Sequence, residues 1–212
     1  MVPNRYKSVL RRAKQEIANY LEDAKAEGRI DGDLLTEALD NTYTALEQWM
    51  SFPEIPGISD SFKDAIADHI EKGDWKDIVN AFRQRVRFGT GGIRGMMAFD
   101  RKSILRIKED GLDAPILKGP NTINDLVISL TTTGVAQFGR DQHPPFQRVV
   151  IGYDSRVRGF DLAKVVARVF LGYDYTVYFF DAPCPYPEVT YAIPHKQIKA
   201  DVGVLISASH ND

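Results

Sequence analysis

The chain has 212 residues, 43% of them hydrophobic and 26% charged, with a formal net charge of −2 at neutral pH. That length holds one large domain, or a domain with an appendage, around a sizeable core. The near-neutral balance gives no ground for a nucleic acid or an anionic membrane as partner, and a single cysteine, Cys184, excludes an internal disulfide framework and fits a reducing compartment.

The N-terminal stretch "MVPNRYKSVLRRAKQEIANY" is too charged for the apolar core of a signal peptide, and Glu16, Glu22 and Asp23 argue against a transit peptide. No segment reaches the roughly eighteen uninterrupted apolar residues of a membrane helix, so a cytoplasmic protein is expected. Tyr6, Val9, Leu10, Ala13, Ile17, Tyr20, Leu21 and Ala24 recur at three- and four-residue steps and predict one long helix. "DGD" at 31–33 supplies a turn and a capping carboxylate. A second stripe follows, Leu35, Ala38, Leu39, Thr42, Leu46, Trp49 and Met50, until Pro53 and Pro56 interrupt it. Phe62, Ala65, Ile66, His69 and Ile70 predict a short third helix, in which His69 reads as a partly buried surface histidine. Trp75, Ile78, Val79 and Phe82 predict a fourth after Gly73-Asp74.

Beyond Phe88 the pattern changes. "VVIGYD" (149–154), "YTVYFF" (175–180) and "VGVLIS" (202–207) are short runs rich in β-branched and aromatic residues. Helical patterns at 121–138, 161–171 and 187–193 separate them. This alternation predicts βαβ crossovers on a largely parallel sheet. Ligands then belong outside the carboxyl ends of the strands, which singles out the segment after Asp154, the "DAPCPYP" turn and the terminal "SASHND". Residues 100–120 read as an extended hairpin or irregular insertion.

Three stretches could carry chemistry. "RFGTGGIRG" (87–95) holds four of the sixteen glycines but fails the dinucleotide fingerprint, because Arg94 stands where the third glycine belongs. No Gly-Lys pair supports a Walker loop either. What remains is a backbone loop at Gly91 and Gly92 that could cradle an anion beside Arg94, or a tight turn with a surface arginine; spacing leaves both open. In "GYDSR" (152–156), Asp154 fits a strand-end cap, and Arg156 an orienting group, a phosphate clamp or a surface residue. In "SASHND", Ser209 and His210 are neighbours that point to opposite sides of an extended chain, so a Ser–His dyad does not suit them, and no G-x-S-x-G elbow surrounds the serine. Ser209 could carry a phosphoryl group with His210 and Asn211 beside it; a polar turn is the simpler account from these residues alone. Cys184, between two prolines, reads as an inert apolar residue. Four scattered histidines without a cysteine cluster do not suggest zinc, whereas a magnesium site built on phosphate and carboxylates stays open.

Taken in order, "FGTGGIRG", "GPNTIND" (119–125), "VVIGYDSR", the "YTVYFFD-PCPYPEVTYAI" region and "VGVLISASHND" resemble the α-D-phosphohexomutases, the phosphoglucomutase and phosphomannomutase group. The resemblance covers roughly residues 85–212, the family's first domain. It implies an α/β fold, a mixed, largely parallel sheet sandwiched by helices, preceded by a helical extension over 1–84 that looks like the phosphoglucomutase or phosphopentomutase subgroup. It implies that Ser209 is the phosphoserine and that Ser207 matches the threonine of the family's "T-A-S-H-N-P" loop. Phospho-Ser209 would pass its phosphoryl group to a sugar monophosphate, and the bisphosphate would return the other phosphoryl group after reorienting. A phosphoserine carries about −1.5 to −2 charges, so transfer calls for Mg2+ on that phosphate and for positive groups. Arg94 and Arg156 would be such groups or would hold the loop, with Asp154, Gly91 and Gly92 in support. His210 would serve as acid/base or substrate contact and Asn211 would fix the loop. A small phosphorylated sugar is the implied partner and a sugar bisphosphate the implied activator.

The sequence departs from the family pattern in two places: Asp212 follows "SHN" in place of proline, and Thr122 stands where many relatives carry arginine. The family's metal-binding, sugar-binding and final phosphate-binding loops belong to later domains and have no match here, so the chain reads as an N-terminal fragment expected to be inactive alone. A phosphosugar phosphatase acting through Ser209, or a non-catalytic scaffold relative favoured by Asp212, are the rival readings.

Overall fold

A computed structural model of the chain describes residues 2–53, 59–89 and 91–207. They divide into two compact units, Met1–Ile123 and Asn124–Asp212.

The first unit opens with α1 (Asn4–Ala26), whose stripe Tyr6, Leu10, Ala13, Ile17, Leu21 and Ala24 is buried. It closes with Gly28 at φ 71°, the Gly28 amide on the Lys25 carbonyl and the Arg29 amide on that of Ala24, a left-handed terminus that glycine adopts at little cost. Helix α2 (Gly32–Met50) starts where Asp31 accepts from the Leu34 amide at 2.7 Å, as its capping pattern predicts. Helices α3 (Ser59–Lys72) and α4 (Trp75–Phe82) follow; Pro56 lies outside the described residues. Trp49 sits edge-on against Phe52, Phe62 and Phe82, with ring centroids 5.8–6.0 Å apart, the geometry that sets a positive ring edge on a negative face. The stripe prediction misses at Leu39, which is 38% exposed at the edge of the helix contact. Lys63 is fully buried, and its ammonium donates to the Phe52 carbonyl at 2.7 Å just past the end of α2. His69 is half-buried, its Nδ1 3.0 Å from Asp74.

Residues 100–120 correct the expectation of a hairpin. Residues 101–113 form α5 (Arg101–Asp110) and a 3-10 turn (Gly111–Asp113), and the irregular alternative holds only for 114–120. Only Ile107 is buried on this helix while Ile104 and Leu105 stay 38% and 45% exposed, so the apolar period that identifies a helix is missing. The start signal is local instead: the Asp100 carboxylate accepts from the Ser103 amide at 2.9 Å. Bonds from Ser103, its hydroxyl foremost, hold the Asp100 carboxyl below its usual pKa. Because the folded value is lowered, the stabilisation is present above the unfolded value of about 3.9 and is lost as pH falls through the folded one. Asp100→Ala should cost about 1 kcal/mol at neutral pH. Asp100→Asn, which keeps an acceptor at every pH, should flatten the acid-side loss; urea midpoints at neutral and acid pH measure both effects.

The last segment of this unit closes back on α4. The Asn121 amide donates to the Ala81 carbonyl (3.0 Å) and its Nδ2 to the Asn80 carbonyl (2.7 Å), while the Val86 amide donates to the Pro120 carbonyl (2.8 Å). A loop distant in sequence thereby satisfies carbonyls at a helix end that would otherwise lack partners.

The second unit is α/β. Helix α6 (Asp125–Arg140) begins at Asn124, whose side chain accepts from the Val127 amide at 2.9 Å. Strand β1 (Arg148–Tyr153), helix α7 (Gly159–Gly172), β2 (Thr176–Phe179), α8 (Tyr186–Ala192) and β3 (Val202–Ile206) follow in the predicted order. The sheet order is β2-β1-β3 with both pairings parallel, Val149 opposite Val177 on one side and Val202 on the other. Successive β1 residues point to opposite faces. Val150 packs with Cys184, Val189 and Ala192 on the α8 side, whereas Tyr153 meets Phe160 of α7. Buried on both faces, β1 reads as a continuous apolar run, as a central parallel strand should. Gly152 is required by contact, since a Cβ there would lie 2.6 Å from both Cys184 Sγ and Val189 Cγ2. Cys184 is buried as expected, and burial raises its thiol pKa above the ordinary value.

Candidate functional site

Parallel strands end on one edge, and the described residues that follow β1, β2 and β3 leave the sheet there. Strands β1 and β3 stop one residue short of the predicted ends, so Asp154 and Ser207 are the first residues outside the sheet. The Asp154 amide donates to the Ile206 carbonyl at 3.0 Å, joining the exits of the two strands directly. The Phe180 amide, following β2, donates to the Ile151 carbonyl (3.0 Å), and the Cys184 amide to the Tyr153 carbonyl (2.8 Å). Ser207 is exposed. Ser209, His210 and Asn211, with Asp212, lie outside the described residues.

The turn after β1 is tightly determined. Asp154 accepts from Arg156 Nε at 2.7 Å through Oδ1 and from Nη2 at 2.8 Å through Oδ2, and Oδ1 also faces the Arg156 amide at 3.2 Å. The carboxylate therefore caps its turn, the role its position suggests. Arg158 takes a left-handed conformation at φ 59°, and the Gly159 amide donates to the Arg156 carbonyl at 3.1 Å. A Cβ on Gly159 would stand 2.9 Å from the Asp154 carbonyl oxygen. Arg158 and Asp161, which belong to none of the motifs above, lie 3.2 Å apart, with Lys164 2.7 Å from the same carboxylate. Bonds from Lys164, then Arg158, hold the Asp161 pKa below its ordinary value. A pair three apart across a helix start, Arg158–Asp161, is the signal that could have found them.

Arg94, Gly91 and Gly92 belong to the first unit. There Phe88 and Ile93 form an antiparallel bridge, and the Gly89 amide donates to the Gly92 carbonyl at 2.7 Å. At least one amide of this loop is therefore engaged inside a turn. Gly91 and Arg94 are exposed, and a Cβ at Gly91 or Gly92 would meet nothing within 4 Å. Thr122 is fully buried, its hydroxyl donating to the Gly119 carbonyl (3.1 Å) and accepting from the Gly119 amide (3.2 Å). At this position the chain has a turn-forming hydroxyl.

No group of three or more His, Cys, Asp or Glu side chains among the described residues is arranged to hold a metal ion. No helix among those residues is long and apolar enough to cross a membrane.

The alpha/beta/alpha domain I of phosphoglucomutase/phosphomannomutase matches residues 85–212. The chain belongs to this family. Among curated relatives, the chain is 29% identical to a phosphoribomutase of Saccharomyces cerevisiae over 66% of its length and 20% of the relative. It is 29% identical to a phosphopentomutase of Mus musculus over 77% of this chain and 24% of that protein. A glucose 1,6-bisphosphate synthase of Homo sapiens is also 29% identical, over 85% of this chain and 28% of the relative. That last match covers more of the chain than residues 85–212 do, so it reaches into the helices before the family domain. The chain spans about a fifth to just over a quarter of the length of these relatives. No solved structure matches it.

Proposed function

We propose that this chain supplies the phosphoryl-carrying part of a phosphosugar mutase, with Ser209 as the carrier. The observation that carries the reading is the family match over residues 85–212, which takes in the strand leading to the exposed Ser207 and the loop after it. In this reading the phosphoserine O–P bond breaks as a hydroxyl oxygen of a sugar monophosphate forms the new O–P bond, and the hydroxyl proton leaves to a base. His210 serves as that base, and Asn211 fixes the loop. The resulting bisphosphate reorients, its other phosphoryl group returns to Ser209, and the isomeric monophosphate departs. Arg94 balances charge on the transferring oxygens, where fixed positive groups act most strongly. Mg2+ on the Ser209 phosphate, a sugar bisphosphate activator and a cytoplasmic setting belong to the same proposal.

The names of the relatives support hexose or pentose phosphates as the substrate class. To test the reading, the protein as the cell makes it is incubated with labelled glucose 1,6-bisphosphate and magnesium, and acid-stable label is mapped by peptide. Label on Ser209 together with isomerised sugar phosphate supports the mutase. Label released as inorganic phosphate without isomer supports a phosphatase. No label with any sugar bisphosphate supports a non-catalytic relative, the reading to which Asp212 lends weight.

A further inference from the structure

We infer that Arg156 is a positioning residue, acting through Asp154 to fix where the chain leaves β3, and that it is not a phosphate clamp; the catalytic consequence rests on the reading of Ser209 above. An arginine beside a phosphate site can face the phosphate or hold a neighbour. Here two of its three nitrogens, Nε and Nη2, are taken by the two oxygens of Asp154 at 2.7 and 2.8 Å. That side-on pairing is the strongest and most directional arrangement open to a guanidinium. It also sets a carboxylate charge against the arginine, which weakens its pull on a second anion.

The same pairing bears on the sheet edge. The Asp154 amide donates to the carbonyl of Ile206, the residue before Ser207 and three before Ser209. Downstream, the Gly159 amide donates to the Arg156 carbonyl, and Arg158 is held at φ 59°, a conformation that a non-glycine residue keeps only where its surroundings over-determine it. Arg156 thus sits in the middle of a chain of contacts: its guanidinium on Asp154, Asp154 on the exit of β3, and its own carbonyl on the start of α7. Releasing the guanidinium frees the Asp154 turn and, with it, the base of the loop that carries Ser209.

Two measurements test this. The first is amide hydrogen exchange on the chain itself, which needs no activity. Arg156→Met is expected to speed exchange of the Asp154 amide at least tenfold, and unchanged exchange overturns the inference whatever the protein does. The second is the rate of Ser209 labelling by glucose 1,6-bisphosphate in the natural protein. Loss of positioning should lower the maximal rate by on the order of 10- to 100-fold, the scale expected of a misplacement near 1 Å, with the half-saturating concentration changed less than twofold. Arg156→Lys, which keeps charge but cannot pair side-on, should not restore the rate. Asp154→Asn combined with Arg156→Met should be no worse than the poorer single variant, as for two residues acting through one contact. A raised half-saturating concentration with an unchanged maximal rate, or rescue by lysine, would instead make Arg156 a phosphate clamp. If the unaltered protein takes no label, the mutase reading fails, while the exchange result still decides the positioning role.

Discussion

Ser209→Ala is expected to remove all acid-stable label from the natural protein and to lower its turnover of sugar phosphates by about 10⁴-fold or more, the scale seen when a covalent nucleophile is deleted. The size of the effect follows from the chemistry: alanine has no oxygen on which the phosphoryl group could be carried. Ser207 is the nearest hydroxyl, but it sits immediately after β3, where the Asp154–Ile206 bond ties the strand exit down. Ser207→Ala should therefore lower labelling without abolishing it. Label found on Ser207 in the Ser209 variant would move the carrier two residues back towards the sheet and sink the assignment. Both tryptophans, Trp49 and Trp75, lie in the first unit. Their fluorescence provides a folding control for that unit, and circular dichroism covers the sheet.

The largest effect on stability is expected at Gly119. A Cβ there would stand 2.5 Å from the Ala81 carbonyl oxygen, 2.8 Å from its Cβ and 2.9 Å from its carbonyl carbon. Two of these atoms are backbone at the last turn of a packed helix, so nothing flexible can give way. Gly119→Ala must push the 119–122 turn off α4, stretching the Asn121 bonds to Ala81 and Asn80. Overpacking costs about 1–3 kcal/mol, and each of the two weakened hydrogen bonds about 1 kcal/mol more, so a loss of roughly 3–5 kcal/mol follows. A urea titration followed by tryptophan fluorescence reads this unit selectively, and an unshifted midpoint would show that the two backbones do not pack as described. Gly134 provides the contrast. It lies within α6, and a Cβ there would meet nothing within 4 Å. Gly134→Ala should leave stability unchanged or raise it by about 0.5–1 kcal/mol, the propensity difference.

Where the apolar period was strong, the sequence was legible. The stripes of α1 and α2 and the β-branched runs of the sheet fixed element type and order, because burial on one face or two leaves a periodic trace. Helix α5 left none: with Ile107 as its only buried residue, its start was written in one capping carboxylate, Asp100, and not in a pattern. The turn at 119–122 was legible only as part of a family motif, since the partners of Asn121 lie some forty residues earlier and no local signal names them. The loops at the sheet edge were found from strand polarity alone. What Arg156 does there could not be read from "GYDSR", because the choice between holding a phosphate and holding Asp154 depends on a side-chain direction that spacing does not encode.

The closure of residues 119–122 on α4 bears on how this architecture can be inherited. A segment that begins at residue 85 matches the family domain, yet among the described residues its Asn121 donates to carbonyls of residues 80 and 81. Exchange of the matched domain between proteins at residue 85 would leave those acceptors behind and strand the turn, whereas exchange at Ile123, where the compact unit ends, carries the helices and the glycine loop together. Recombination and drift should therefore treat the opening helices and the first motif as one heritable block, with α4 tolerating change only where the carbonyls of its last turn stay in place.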